Sequence, residues 1–307
     1  MGLDCRCLVL AAGKGTRLLP VTQHVPKPLF PILDTPALST VLHKLRSEGF
    51  CKIAINSHHL ATNMEKWHKQ SPAAVDTLLI KEKVLLDTGG AVKNAFNVMG
   101  WDKPILVYNG DIISNVSVSK FVGLFHRNLD ASALFCLHDN PRYNKVACID
   151  SRITSFNSEG EKCLAYTGIA IFGPECFTNA PSGPFPLIPY MEDLIEKGMH
   201  IAACRAEEIT VDDQHWFWHD IGTPCGYLSA NFSLLGLKGL GTHMEDCTMG
   251  ESVQIRKNVI IGKGAKIQGL LELENVVIWP ATELCLNGKV SESIFTPFGN
   301  LHCNNQS

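Results

Sequence analysis

Between Met249 and Val277 the apolar residues fall into two interleaved columns. Met249, Ile255, Ile261, Ile267 and Leu273 form one; Val253, Val259, Ala265, Leu271 and Val277 form the other, each recurring every six residues. Two ordinary alternating strands produce either column briefly, but they do not hold its phase over five steps. A sustained repeat of six is the mark of a parallel β-helix. Ile261-Gly262-Lys263-Gly264-Ala265 is a good local example. At ~18 residues per three-sided turn, the tail holds about two to three turns. A coil that short has little core of its own, so it is expected to pack on the rest of the chain or on another subunit.

The preceding two-thirds alternate strand and helix. Cys7 to Leu10, Lys52 to Asn56, Leu78 to Ile80 and Ile105 to Tyr108 are expected strands. Thr35-Pro36 is expected to start a helix, with threonine as cap and proline first inside. Leu38, Val41, Leu42 and Leu45 continue it at helical spacing, and Gly49 stops it. Leu60, Met64 and Trp67 line a second helix, and Gly89-Gly90 opens a third. Past residue 130 the pattern becomes more mixed, with strands at Ala131 to His138, Val146 to Asp150, Leu164 to Phe172 and His215 to Ile221. Helices are expected at Pro186 to Gly198 and Pro224 to Leu235. The expected fold class is α/β: a Rossmann-like mixed, mainly parallel sheet with helices on both faces, plus a short C-terminal left-handed parallel β-helix. The expected division is 1–236, a linker at 237–245, and the coil at 246–300.

Composition removes several functions. With 27 basic and 30 acidic residues among 307, nothing favours general binding to nucleic acid or a membrane surface. No apolar run approaches a membrane span. Leu8 to Ala12 is too short for a signal-peptide core, and Arg6 breaks the myristoylation pattern after Gly2. A cytoplasmic location is expected. The 12 cysteines contain no CxxC. They are expected to be reduced, buried apolar side chains rather than zinc ligands.

The chemistry is concentrated in Leu10-Ala-Ala-Gly-Lys-Gly-Thr-Arg-Leu-Leu-Pro-Val-Thr-Gln-His-Val-Pro-Lys-Pro28. A strand leading into glycines lets successive N–H groups face one concavity and hold phosphates. It is neither a Walker A loop nor a dinucleotide-binding GxGxxG. Arg17 offers a planar fork to phosphate oxygens, and Lys27 sits between two prolines that stiffen its backbone. Asp111 follows an expected strand at its carboxyl end, where open α/β sheets bind ligands. Asp220 follows another strand. Mg2+ takes oxygen ligands, usually one or two carboxylates with phosphates and water.

The full string resembles the signature of the sugar-1-phosphate nucleotidyltransferases, the nucleoside-diphosphate-sugar pyrophosphorylases. The resemblance continues through Asp87-Thr88-Gly89-Gly90, Asn109-Gly110-Asp111, Tyr166-Thr167-Gly168-Ile169 and Trp218-His219-Asp220-Ile221-Gly222-Thr223-Pro224, covering about residues 7–235. The motif order is most similar to bacterial amino-sugar-1-phosphate uridylyltransferases and to mannose- or heptose-1-phosphate guanylyltransferases. It implies a Mg-dependent transfer from an NTP, UTP favoured, to a sugar 1-phosphate for nucleotide-sugar and cell-envelope polysaccharide synthesis. By the same resemblance Arg17 and Lys27 are catalytic and Asp111 and Asp220 hold the metal. Leu10, Ala11, Ala12, Gly13, Lys14, Gly15, Thr16, Thr88 and Gly89 bind nucleotide, and Asn109 and Gly168 face the sugar. At Gly89 and Gly90 the missing side chains would admit a base or ribose. Glu161-Lys162-Cys163 lacks the proline of the family's sugar-binding Glu-Lys-Pro segment, so it is equally a hairpin tip.

Other readings stay open at this point. They are a guanylyl- or thymidylyltransferase, a cytidylyltransferase on a phosphocholine-like substrate, and a non-catalytic regulatory relative. An acyltransferase tail would need longer coils and a histidine between subunits, whereas His243 and His302 flank these. His58-His59 reads as a structural pair. His215 and His219 share i, i+4 spacing, but in a strand this does not form a metal site. Trp216 and Trp218 read as core or interface. The coil's unpaired ends favour a homo-oligomer.

Overall fold

The computed structural model describes residues 3–128, 130–160, 162–211 and 216–303. Gly2, Glu161 and His215 lie outside them. Five-residue apolar runs make the central strands. Arg6–Leu10 pairs in parallel with Ile53–Ser57 on one side and Ile105–Asn109 on the other, and Thr77–Lys81 extends the first edge. Ala165–Phe172 then enters antiparallel between Ile105–Asn109 and Ala133–His138. The result is a mixed nine-stranded sheet. Helices α1 (Ala37–Ser47), α2 (Ala61–Gln70), α3 (Asp87–Met99), α4 (Val118–Arg127) and α5 (Leu187–Glu196) clothe it, and α6 (Pro224–Leu237) leads to the tail. Two apolar clusters, one centred on Leu38, Leu42 and Tyr108 and one on Phe96, Phe135 and Phe172, fill the faces. Among the described residues no helix is long and apolar enough to cross a membrane.

The helix start at Thr35-Pro36 is corrected by one register. Those residues form a short strand against Pro31–Ile32, so Pro36 stays extended and α1 begins at Ala37. Extended Pro36, with ψ 134, takes the N-cap place itself, so Thr35 stands one residue too early to cap the helix.

The tail is a three-sided coil of parallel strands. Its first strand, Thr242–Met244, falls inside the segment expected as a linker. The six-residue phase holds through Leu273 and then slips. Val253 pairs with Leu271, a separation of 18, but Val259 pairs with Val276, a separation of 17. Val276 and Ile278 therefore point inward, and Val277 points out. The slip has a local cause. Asn258, Asn275 and Glu292 take positive φ at the same corner of successive turns. Asn258 Nδ2 donates to Asn275 Oδ1 at 2.8 Å, and Asn275 Nδ2 to Glu292 Oε1 at 2.7 Å, so a side-chain ladder sets the corner. Met249, at the start of the coil, is 37% exposed, because the terminal turn has a neighbour on one side.

The outward face of the coil packs on the α/β body. Ile260, Val277, Trp279, Ile294 and Leu301 join the same cluster as Phe30 and Tyr227. At the far end Gly299–His302 folds back antiparallel on Gly288–Thr296 and covers that sheet edge.

One disulfide corrects the expectation of reduced thiols: Cys225 in the first turn of α6 bonds to Cys303 after the last strand. The returning hairpin brings the two together across 78 residues of sequence. Ten other cysteines are free; Cys5, Cys7 and Cys136 are buried as expected, whereas Cys51 and Cys285 are exposed. Cys303→Ser is expected to lower stability by about 2–4 kcal/mol through release of the unfolded chain. Denaturant titration of oxidised protein checks this, and identical midpoints for variant and parent would refute it.

Candidate active site

The first strand ends at Leu10, and Ala11 N donates to Asn56 Oδ1 at 2.7 Å, anchoring the start of the glycine loop to the neighbouring strand. Asn56 Nδ2 donates in turn to Glu82 Oε1 at 2.8 Å, and Glu82 Oε2 accepts from Leu86 N at 3.1 Å. This buried chain joins the glycine loop to the segment before α3. Gly13 faces open space. Gly15 has φ +64, and a Cβ there would meet Thr22 Cγ2 at 2.8 Å. Thr22 Oγ1 donates to Gly15 O at 3.0 Å.

A cavity of about 270 Å³ lies beyond this loop, lined by Leu10, Ala11, Ala12, Gly13, Lys27 and Thr88 among the expected residues. Asn56, Glu82 and Leu85 also line it without a signal in the sequence, and Pro28 and Asp87 line it from within the signature motifs, where the sequence assigns them no binding role. Lys14, Gly15, Thr16 and Arg17 continue the loop outside the lining. Gly89 is corrected in its reason. Its missing Cβ leaves room for Phe185, whose ring carbon would stand 2.4 Å away, rather than for a base, and Gly90 faces Gly183 O in the same way.

A second cavity of about 280 Å³ is lined by Tyr143, Lys145, Tyr166, Gly168, Trp218 and Asp220, among others. Gly168, with φ +83, stands against Asn109, whose Nδ2 would lie 2.7 Å from an added Cβ. Trp218 packs against the main apolar cluster as expected and also walls this cavity, its Nε1 donating to Thr167 O at 2.8 Å. Tyr166 Oη is buried with no hydrogen-bond partner there. Lys162 is exposed. Asn109 and Asp111 line both cavities.

Two strands bring the carboxylates together. Trp218–Asp220 pairs antiparallel with Ile112–Ser114, placing Asp220 opposite Ile112, and Ile221 N donates to Asp111 O at 3.0 Å. Lys27 Nζ contacts Asp111 Oδ2. Arg17 reaches Asp220 Oδ2 at 3.8 Å. Burial raises the Asp220 carboxyl above its usual range and the Asp111 charge adds to this; Lys27, the Gly222 N–H and Arg17 oppose it. The two carboxylates repel each other, but Lys27 and Arg17 balance them in formal charge, so the set carries no excess negative charge until substrate phosphates enter. That fits a hard cation held by one or two carboxylates and completed by substrate oxygens. Among the described residues no group of three or more His, Cys, Asp or Glu side chains could hold a metal.

The expected minor residues are structural. His58 Nδ1 bonds Glu82 O at 3.0 Å, and His59 Nε2 bonds Thr22 O at 2.7 Å. His138 lies against Trp218, with ring centroids 4.5 Å apart. Burial pushes His138 and His219 below the ordinary histidine value of 6.5, and each leaves Nε2 unpartnered. They take up a proton less readily in the fold than in the unfolded chain. Their contribution to stability is therefore complete above about pH 6.5 and is lost as pH falls below it. Denaturation midpoints between about pH 5 and pH 8 are expected to fall on the acid side. His138→Gln should flatten that limb; an unchanged pH slope would count against the assignment.

The family profile described as "Nucleotidyl transferase" matches residues 6–235. UTP--glucose-1-phosphate uridylyltransferase of Synechocystis sp. is 28% identical, covering 96% of this chain and 84% of its own length. N-acetylmuramate alpha-1-phosphate uridylyltransferase of Neisseria meningitidis is 25% identical, covering 72% and 94%. Among solved structures, HddC from Yersinia pseudotuberculosis complexed with GMP-PN superposes with TM-score 0.62 at 24% identity, covering 75% of this chain and 99% of that one.

Proposed function

The chain belongs to the nucleotidyl transferase family, and on that premise we propose that it transfers a nucleotidyl group from an NTP to a sugar 1-phosphate. UTP is the favoured donor and Mg2+ the favoured metal. The observation that carries the reading is the junction of two cavities at Asn109 and Asp111. Two substrates occupying them meet beside the same carboxylate. The glycine-loop side takes the NTP, and the side walled by Gly168 and Trp218 takes the sugar phosphate.

In this reading a phosphate oxygen of the sugar attacks the α-phosphorus, the bond from that phosphorus to the β-phosphate bridging oxygen breaks, and pyrophosphate leaves. Two anions must approach, so charge neutralisation and positioning carry the rate. Arg17 holds the departing pyrophosphate portion, and Lys27 meets oxygens around the reacting phosphorus. The backbone of Leu10 to Thr16 and Thr88 cradles the nucleotide, while Asn109 and Gly168 seat the sugar. Asp111 and Asp220 would hold the divalent metal, which when bound screens phosphate charge. Residues 1–236 perform this chemistry, and the coil that starts with Thr242–Met244 supports it.

UTP is favoured because two relatives are uridylyltransferases. Guanylyl transfer is the second reading, since the HddC neighbour is complexed with GMP-PN. Pyrophosphate release across four NTPs and a panel of sugar 1-phosphates, with and without Mg2+, tests it. One productive pair, silenced by Asp111→Ala, is the expected result. No release together with no nucleotide binding would overturn the proposal.

A further inference from the structure

The stretch between Arg17 and Lys27 contains no strand and no α-helix, only the short turns Thr16–Leu18 and Val21–Gln23. Its own backbone hydrogen bonds are all short-range, such as Gln23 N to Pro20 O at 3.0 Å and Val25 N to Val21 O at 3.1 Å, so its placement on the body depends on packing from outside. Inner contacts are supplied by the body: Thr22 holds Gly15 O, His59 holds Thr22 O, and Asn63 Nδ2 donates to His24 O at 2.7 Å. The outer contact comes from the far end of the chain. The hairpin of Gly288–Thr296 and Gly299–His302 carries its tip across to this stretch. Phe298 stacks on His24 with centroids 4.9 Å apart and planes 15° apart. Gly299 lies on Pro20 so closely that a Cβ would stand 2.7 Å from Pro20 Cγ.

The tip is itself rigid. Thr296 Oγ1 accepts from Phe298 N at 3.0 Å and donates to Gly299 O at 2.7 Å. Its base is anchored by Ile294 and Leu301 in the main cluster and by the Cys225–Cys303 bond to α6, five residues beyond Asp220.

The geometry points to a positioning role for this hairpin: Phe298 and Gly299 brace Pro20 and His24, and thereby hold Arg17 and Lys27 in register for the nucleotide phosphates. The bracing stands on contacts alone; its consequence for rate rests on the proposed transfer reaction. Phe298 is 39% exposed, so its truncation leaves the core intact.

The test compares the full-length chain, Phe298→Ala, Phe298→Tyr and Gly299→Ser. Hydrogen–deuterium exchange is expected to rise in residues 14–27 of Phe298→Ala and Gly299→Ser, with the central sheet unchanged, and to return to parental values in Phe298→Tyr. Kinetically, kcat/KM for the NTP is expected to fall about tenfold while KM for the sugar 1-phosphate holds. Exchange at 14–27 equal to the parent, or a rise spread over the whole chain, would overturn the brace. A parent inactive with every substrate pair would instead overturn the transfer reading, and exchange would still decide the brace.

Discussion

Lys27→Ala is expected to lower kcat/KM for nucleotidyl transfer by about 10²–10³-fold, the loss seen when a preorganised transition-state donor is removed. Lys27 is held on both sides. Pro26 and Pro28 limit its backbone, and its ammonium sits on Asp111 at the junction of the two cavities. Its side chain is only 13% exposed, so little water screens the charge. Removing it leaves Asp111 and Asp220 facing each other with Arg17 alone nearby, at 3.8 Å and 56% exposed. Lys27→Arg keeps the charge but places a planar fork where a point donor fits, and should recover only part of the rate. Steady-state pyrophosphate release is the measurement. A Lys27→Ala enzyme within threefold of the parent would remove Lys27 from the chemistry.

Trp279→Ala is expected to cost about 3–5 kcal/mol, at the upper end of large-to-small core changes. Trp279 is 4% exposed although it belongs to the tail, because it inserts between the tail and the α/β body. Its Nε1 donates to Tyr227 Oη at 2.9 Å, and Tyr227 Oη donates to Pro31 O. Phe30 meets the indole edge-on with centroids 4.7 Å apart. Truncation removes an aromatic pair, a buried hydrogen bond and the packing of Phe30 together. The body and coil share this cluster, so the parent should unfold in one transition. Trp279→Phe should lose less than Trp279→Ala. Denaturant unfolding followed by circular dichroism decides it: a change below about 1 kcal/mol, or separate melting of coil and body in the parent, would count against a shared core.

How far the sequence could be read depended on how local each signal was. The glycine loop, the strand ending at Asp111 and the apolar columns up to Leu273 are carried by neighbours in sequence, so their patterns are visible without a structure. Asn56 and Glu82 were missed because their role exists only where the second strand and the segment before α3 meet at Ala11. Trp218 packs on the core as its alternation suggests, but that alternation says nothing of the cavity on its other side. Gly89 reads in the sequence as room for a ligand, but Phe185 fills that room.

The chain's own periodicity and its phosphate-loop motif thus determined an α/β body with a strand-coil tail and the chemical identity of the charged set. Tertiary structure alone decided three matters: that Val276 and not Val277 turns inward, that Cys225 bonds Cys303, and that the last hairpin leans on the stretch between Arg17 and Lys27. Each depends on a side-chain ladder or a chain return that joins residues far apart in sequence. Such contacts leave no repeat to detect, because they are selected by the packing of surfaces that exist only once the chain has folded.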